Sequence, residues 1–316
     1  MNQSLTTETS NQRGWIRKVN MLLLVTLIVY LGYSLMISVV LEARDGNVPI
    51  LGNTMFQLVS SQIALLAPSA IFFWKHKVPV MKYLHIKHMR VSTLLLVIIF
   101  TYASYPIISL CNYVSLFFTQ NVIDNTMEEL LGQYPTIVCV IAVALVPCVV
   151  EEIIFRGVLY STYKQCGVGK AAIFTAILFG LFHMNLNQMS YTVVMGIVLV
   201  ILNEITGSIL SSMLMHFLIN ATSIISASAY YRQYGTLQSE SQSGDFSVLQ
   251  QLIILSVGSL IIMALLLWAM AKLQGRIEKI KELQLKTKKQ EKIFSVPLIV
   301  VIAICIVIVT MSQLSY

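Results

Sequence analysis

Apolar residues along this chain gather into long runs separated by short polar connections, the pattern of helices that cross a bilayer. A crossing helix needs roughly 17–25 predominantly apolar residues. Runs of that kind are Met21–Leu41, Leu51–Trp74, Val91–Phe118 (interrupted by Pro106), Thr136–Tyr160, Ala171–Met189, Ser208–Ala229, Leu252–Met270 and Phe294–Met311. A shorter one covers Tyr191–Leu202. The pattern predicts an all-α, polytopic transmembrane helix bundle of about nine spans and no soluble domain. The chain divides into a tail at 1–20, membrane helices at 21–135, a central helical group at 136–229 and a C-terminal pair at 230–316.

Charge orients this bundle. Short cytoplasmic loops accumulate Lys and Arg, and here 18 of the 21 basic residues fall on one side. They lie in the N-terminal tail, in the second connection (Lys75 to Arg90), at Lys164 and Lys170, and in the eighth connection (Lys272 to Lys292). The other side receives only Arg44 and Arg232, while Arg156 falls within a span. The expectation is an N-terminus inside, a C-terminus outside and a multi-pass protein of the plasma membrane. The net charge of +7 then suits a bilayer with an anionic inner leaflet and gives no reason to invoke nucleic acid.

Composition agrees. Charged residues are 11% of the chain and apolar residues 57%, with a mean hydropathy of +0.78, whereas soluble domains carry about 25% charged residues. No small-residue cleavage site follows the first run before Glu42 and Arg44, so that run is expected to stay as a signal anchor. The cysteines Cys111, Cys139, Cys148, Cys166 and Cys305 form no CxxC pair and read as small apolar packing residues. Of the polar connections, Tyr230–Gln250 is Ser/Gln/Gly-rich and expected to be flexible and external. The segment 273–292 alternates Lys with Glu and reads as a basic interfacial helix inside, and Asn121–Tyr134 reads as an amphipathic outer loop. His76, His85 and His88 have no metal-ligand spacing and read as surface histidines.

Against this apolar background a few ionisable residues stand out. Such groups near the centre of a bilayer are expensive and usually functional. The fourth span carries Pro147, then Glu151, Glu152 and Arg156. Glu152 and Arg156, four apart, share a helical face and can pair, which leaves Glu151 rotated by about 100°. Pro147 removes a backbone donor and frees the carbonyl of Val143 one turn before the acids. The fifth span places Phe179 and His183 four apart, and the seventh places His216 and Asn220 four apart. Taken singly, each is consistent with helix–helix pairing through polar groups. Together, at similar depth on successive helices, they point to one shared polar cavity.

The order Glu-Glu-x-x-x-Arg, Phe-x-x-x-His, His-x-x-x-Asn resembles the CPBP family (Abi, or CAAX prenyl endopeptidase-like), with every motif residue present over roughly Thr136–Ala229. The resemblance implies that 136–229 is a catalytic helical core and that the protein is an intramembrane endopeptidase of the CAAX-processing or bacteriocin-processing type. Its substrate would be a membrane-associated peptide or protein tail. Water would attack directly, with Glu151 as general base, His183 sharing or orienting the water, and His216 and Asn220 stabilising the oxyanion. Glu152 and Arg156 would hold the helix in register, or Arg156 would meet a substrate carboxylate, with Phe179 in support. Glu151, His183 and His216 are also three candidate ligands for a divalent metal such as Zn2+, and the same residues can work without one.

Other protease chemistries lack their residues. No HExxH and no Gly-x-Ser-x-Gly occurs, and Asp45, Asp124 and Asp245 all lie in connections. Two further readings belong to other classes: a non-catalytic membrane immunity or scaffold protein, and an ion- or proton-coupled transporter. The transporter reading lacks an inverted repeat, since all the polar groups fall in one third of the chain.

Overall fold

The structure, a computed structural model, describes residues 2–121, 123–237, 246–278 and 293–314, with side chains from residue 14 onward except that of residue 82. Among these residues helix is the only regular secondary structure and no strand forms. The ten main helices are α1 (Asn2–Ala43), α2 (Thr54–Lys75), α3 (Val91–Ser115), α4 (Ile123–Gln133), α5 (Thr136–Cys166), α6 (Val168–Leu181), α7 (Leu186–Thr206), α8 (Ile209–Tyr234), α9 (Phe246–Leu273) and α10 (Val296–Leu314). Single helical turns at Pro49–Gly52 and Val80–Tyr83 lie in the connections.

Eight of these helices are long and apolar enough to cross a membrane, against the nine spans expected. The difference lies in the fifth and sixth. The predicted run Ala171–Met189 breaks after Leu181, so α6 has only 14 residues, about 21 Å at 1.5 Å per residue. The short sixth run becomes the full 21-residue α7. Asn185 sets the boundary: its side-chain carbonyl accepts the Gln188 N–H at 3.0 Å and caps the new helix. Met184, with φ of +52°, makes the turn. The first helix is longer than expected, taking in the N-terminal tail, and the predicted outer loop contains α4. The basic segment 273–292 falls largely outside the described residues; of the segment Tyr230–Gln250, expected to be flexible, Tyr230–Tyr234 end α8, Phe246–Gln250 begin α9 and 238–245 lie outside the described residues.

Burial ranks the helices. Half of the most apolar window of α5 is buried inside the protein, against 17% for α9, so α5 is central and α9 faces outward. Helix α5 packs against α2, α6 and α8, while α3 runs beside α7, α8 and α9, and α1 beside α2 and α10. The α6–α7 hairpin is tight because its facing residues are small: a Cβ on Gly196 would meet Ala176 Cα at 2.9 Å. Close approach through small residues is how membrane helices gain dispersion contact when lipid is as apolar as their side chains. A polar tie holds the two ends of the chain to the centre. Buried Asn20 donates to the Ile293 carbonyl and to Ser295 Oγ, each at 2.8 Å, and accepts from the Tyr163 hydroxyl.

Helix α5 is not regular. Residues Ile141–Leu145 and Ile153–Tyr160 are wound as π-helix, on either side of an α-helical Val146–Glu152. Pro147 stands in this middle piece, and the amide of Val146 reaches back five residues to the Ile141 carbonyl. The widened turn is how the helix absorbs a residue without an N–H donor, the loosening that the sequence placed one turn before the acids.

Candidate active site

The middle piece of α5 carries the two acids, and their consecutive positions send them different ways. Glu152 is fully buried; its Oε1 lies 2.8 Å from Arg156 Nη1 and 3.2 Å from His216 Nδ1. Arg156 is buried too, its guanidinium 4.2 Å from the centre of the Phe179 ring. The expected Glu152–Arg156 pair is therefore present, and Glu152 additionally bonds a histidine, which sequence spacing did not foresee. A buried carboxylate needs its charge matched, and the Arg156 cation together with one imidazole N–H does so at Oε1.

Glu151 turns toward open space. Its side chain keeps 16% of its exposure, and Oε2 lies 3.8 Å from His216 Nε2. The imidazole of His216 is thus held between two carboxylates, one at each ring nitrogen. His183 arrives from the turn after α6; the sequence placed it inside a continuous helix, but the chain has left the helix two residues earlier. Its Nδ1 lies 2.8 Å from the Phe179 carbonyl, the last-turn acceptor four residues back. A proton on Nδ1 donated to that carbonyl leaves Nε2 with its lone pair, so the bond selects the tautomer. Phe179 is the common support: fully buried, it meets His183, His216 and Phe155 edge-on while Arg156 covers its face.

These groups border one cavity of about 490 Å³, lined by Glu151, His183, His216 and Asn220 among others. Asn220 lies one helical turn beyond His216, as its spacing in α8 required. Residues that the sequence did not single out complete the wall. Tyr105 gives its hydroxyl to the Ile219 carbonyl at 2.9 Å, and buried Asn187 donates to Ser115 Oγ at 2.7 Å and Asn112 Oδ1 at 3.1 Å. Asp124 of α4 borders the same cavity, and burial pushes its carboxyl above the ordinary carboxylate range. Tyr105 and Asn187 belong to helices that otherwise read as generic spans, so no spacing rule marked them.

A metal ion fits this arrangement poorly. Among the described residues no three His, Cys, Asp or Glu side chains come together as an ion-binding group. The five cysteines are free, and none borders the cavity.

The helices and the cavity define a class: an integral, multi-pass membrane protein with an acid–histidine site. Comparison with known proteins finds a family match over part of the chain. Residues 133–222 match the family described as Type II CAAX prenyl endopeptidase Rce1-like, a protease family. The matched stretch contains both acids, Arg156, Phe179 and both histidines of the cavity, together with Asn220, and it bears out the resemblance read from the motifs. No curated protein and no solved structure matches the chain.

Proposed function

We propose that this protein is an intramembrane endopeptidase of the plasma membrane that cleaves a membrane-associated peptide or protein tail, of the kind represented by leader-bearing bacteriocin precursors or CAAX-type tails. The observation that carries the proposal is the meeting of Glu151, His183, His216 and Asn220 on one cavity deep in the helical bundle. Glu151 takes a proton from a water molecule whose oxygen attacks the scissile carbonyl carbon. The Nε2 lone pair of His183 accepts that water's second hydrogen and orients it. The carbonyl π electrons move onto oxygen, and the Asn220 amide N–H stabilises the resulting oxyanion. His216, when doubly protonated, adds Nε2–H while Nδ1–H stays on Glu152. As the C–N bond breaks, the proton held by Glu151 passes to the departing amine, and the carboxylate is restored. Glu152 and Arg156 hold His216 and the helix in register and do not touch the substrate.

The cavity wall includes Asn121 and Asp124, on the face that the charge bias puts outside, so the substrate is proposed to enter from that half of the bilayer. The test is a comparison of peptide termini in membranes of cells carrying the wild type or Glu151→Gln. Termini that appear with the wild type and vanish with equal amounts of the variant would identify substrate and bond together. Identical termini in both would overturn the reading.

A further inference from the structure

A second, smaller cavity of about 210 Å³ lies on the other side of the Glu152–Arg156 pair, on the face where the basic connections gather. Lys87, Lys164, Arg276 and Arg156 line it, with Tyr160 and Glu204. Four cations meet two carboxylates there, since Glu204 lies 3.3 Å from Lys164 and Glu152 pairs with Arg156. The excess is two positive charges. His85 adds none, because burial and the nearby Lys164 hold its imidazole below the ordinary histidine range.

Donors in this cavity outnumber their acceptors. Arg156 is only 3% exposed, yet its Nε and Nη2 make no hydrogen bond. Arg276 gives Nη1 to the backbone carbonyl of Glu204 at 2.9 Å and lies over Gly207, where a Cβ would collide with the guanidinium. Gly207 has φ of +75° and ends α7; Ser208 then caps α8, whose first N–H groups are taken by acceptors on His85, Ser208 and Asn203. Cations and unfilled guanidinium N–H donors are together complementary to a compact oxyanion with several acceptor oxygens. A water molecule takes about 30 Å³ in the liquid, so the space admits a phosphate with some water.

We propose that this cavity is an oxyanion site that takes a phosphate group, either dissolved phosphate or the phosphomonoester headgroup of a lipid. Its occupant shares Arg156 with Glu152, which in turn holds His216, so binding and the peptidase centre are joined through one guanidinium.

The test uses the full chain in nanodiscs and reads binding, so its outcome does not depend on the peptidase proposal. In phosphatidylcholine discs, thermal stability is titrated with inorganic phosphate at ionic strength held constant with chloride. The same measurement is made in discs containing phosphatidic acid. Saturable stabilisation by dissolved phosphate, weakened about tenfold or more in Lys87→Gln and in Arg276→Gln and tightened in Glu204→Gln, supports a soluble ligand. Stabilisation seen only with phosphatidic acid, with the same three directions among the variants, supports a headgroup. Equal stabilisation by chloride, or a phosphate response that the Lys87 and Arg276 variants keep undiminished, overturns the proposal.

Discussion

Replacing Glu152 by Gln should cost far more stability than replacing Glu151 by Gln, although the two residues are adjacent and the change is the same. In the wild type, Glu152 is fully buried and its Oε1 is shared by Arg156 and His216. The amide oxygen of Gln can still accept from His216, but it leaves Arg156 as a buried cation held mainly by the face of Phe179. Removing one member of a buried pair costs about 3–5 kcal/mol, and 1 kcal/mol shifts the melting temperature of chains of 150–250 residues by roughly 2–4 °C. The expected loss is thus about 6 °C or more in detergent. Glu151 is partly open to the cavity and has only the 3.8 Å approach to His216, so Glu151→Gln should stay within about 2 °C of the wild type. Adding Arg156→Met to Glu152→Gln should recover part of the loss, because an apolar side chain of similar length still packs on Phe179 and leaves no unmatched charge. Melting curves of the four proteins test this. If Glu151→Gln is the more destabilised single variant, or the double variant melts lower than Glu152→Gln, the assignment of the two acids is wrong.

Four further outcomes follow from the same geometry. Glu151→Gln, His183→Ala and His216→Ala should each reduce cleavage by about 10²-fold or more at normal membrane abundance; unaltered cleavage by Glu151→Gln would remove the general base. Gly196→Val, which has no room beside Ala176, should destabilise the α6–α7 hairpin by about 1–3 kcal/mol, read as a lower melting temperature, and a wild-type melting curve would refute the close packing. Cleavage by purified protein should persist in a zinc chelator, because no three donors gather at the site; loss restored by Zn2+ would show that the side chains close on an ion. Cysteines placed singly at 244 and 281 in a cysteine-free background should label from outside and from inside respectively, and the reverse pattern would invert the orientation inferred from the basic residues.

The sequence conveyed the fold through hydrophobic run length, which holds where a run ends at charge, as α8 shows, and fails where a helix stops inside an apolar stretch. No charged residue or proline separates Leu181 from Leu186; what stops the helix is the local bond of Asn185, a side chain that reads as unremarkable in composition. The acid, histidine and amide positions were legible because ionisable groups in lipid are rare. The pairing of Glu152 with His216 was not, since it joins α5 to α8 across 64 residues of chain and depends on how the helices are rotated. The second cavity was illegible for the same reason: Lys87 and Arg276 sit in separate connections and Lys164 at the end of α5, and their charges seemed only to set orientation.

The wide turns at Ile141–Leu145 and Ile153–Tyr160 make Val146–Glu152 a short island of ordinary helix between two stretches of looser winding. A π turn amounts to one residue inserted into an α-helix. Removing such a residue on either side would turn the island against that part of α5 by about 100°, without altering either acid. Insertions and deletions, which normally ruin a buried helix, here become a coarse dial for aiming Glu151, and relatives of this protein could retune their cavities by changing helix length alone.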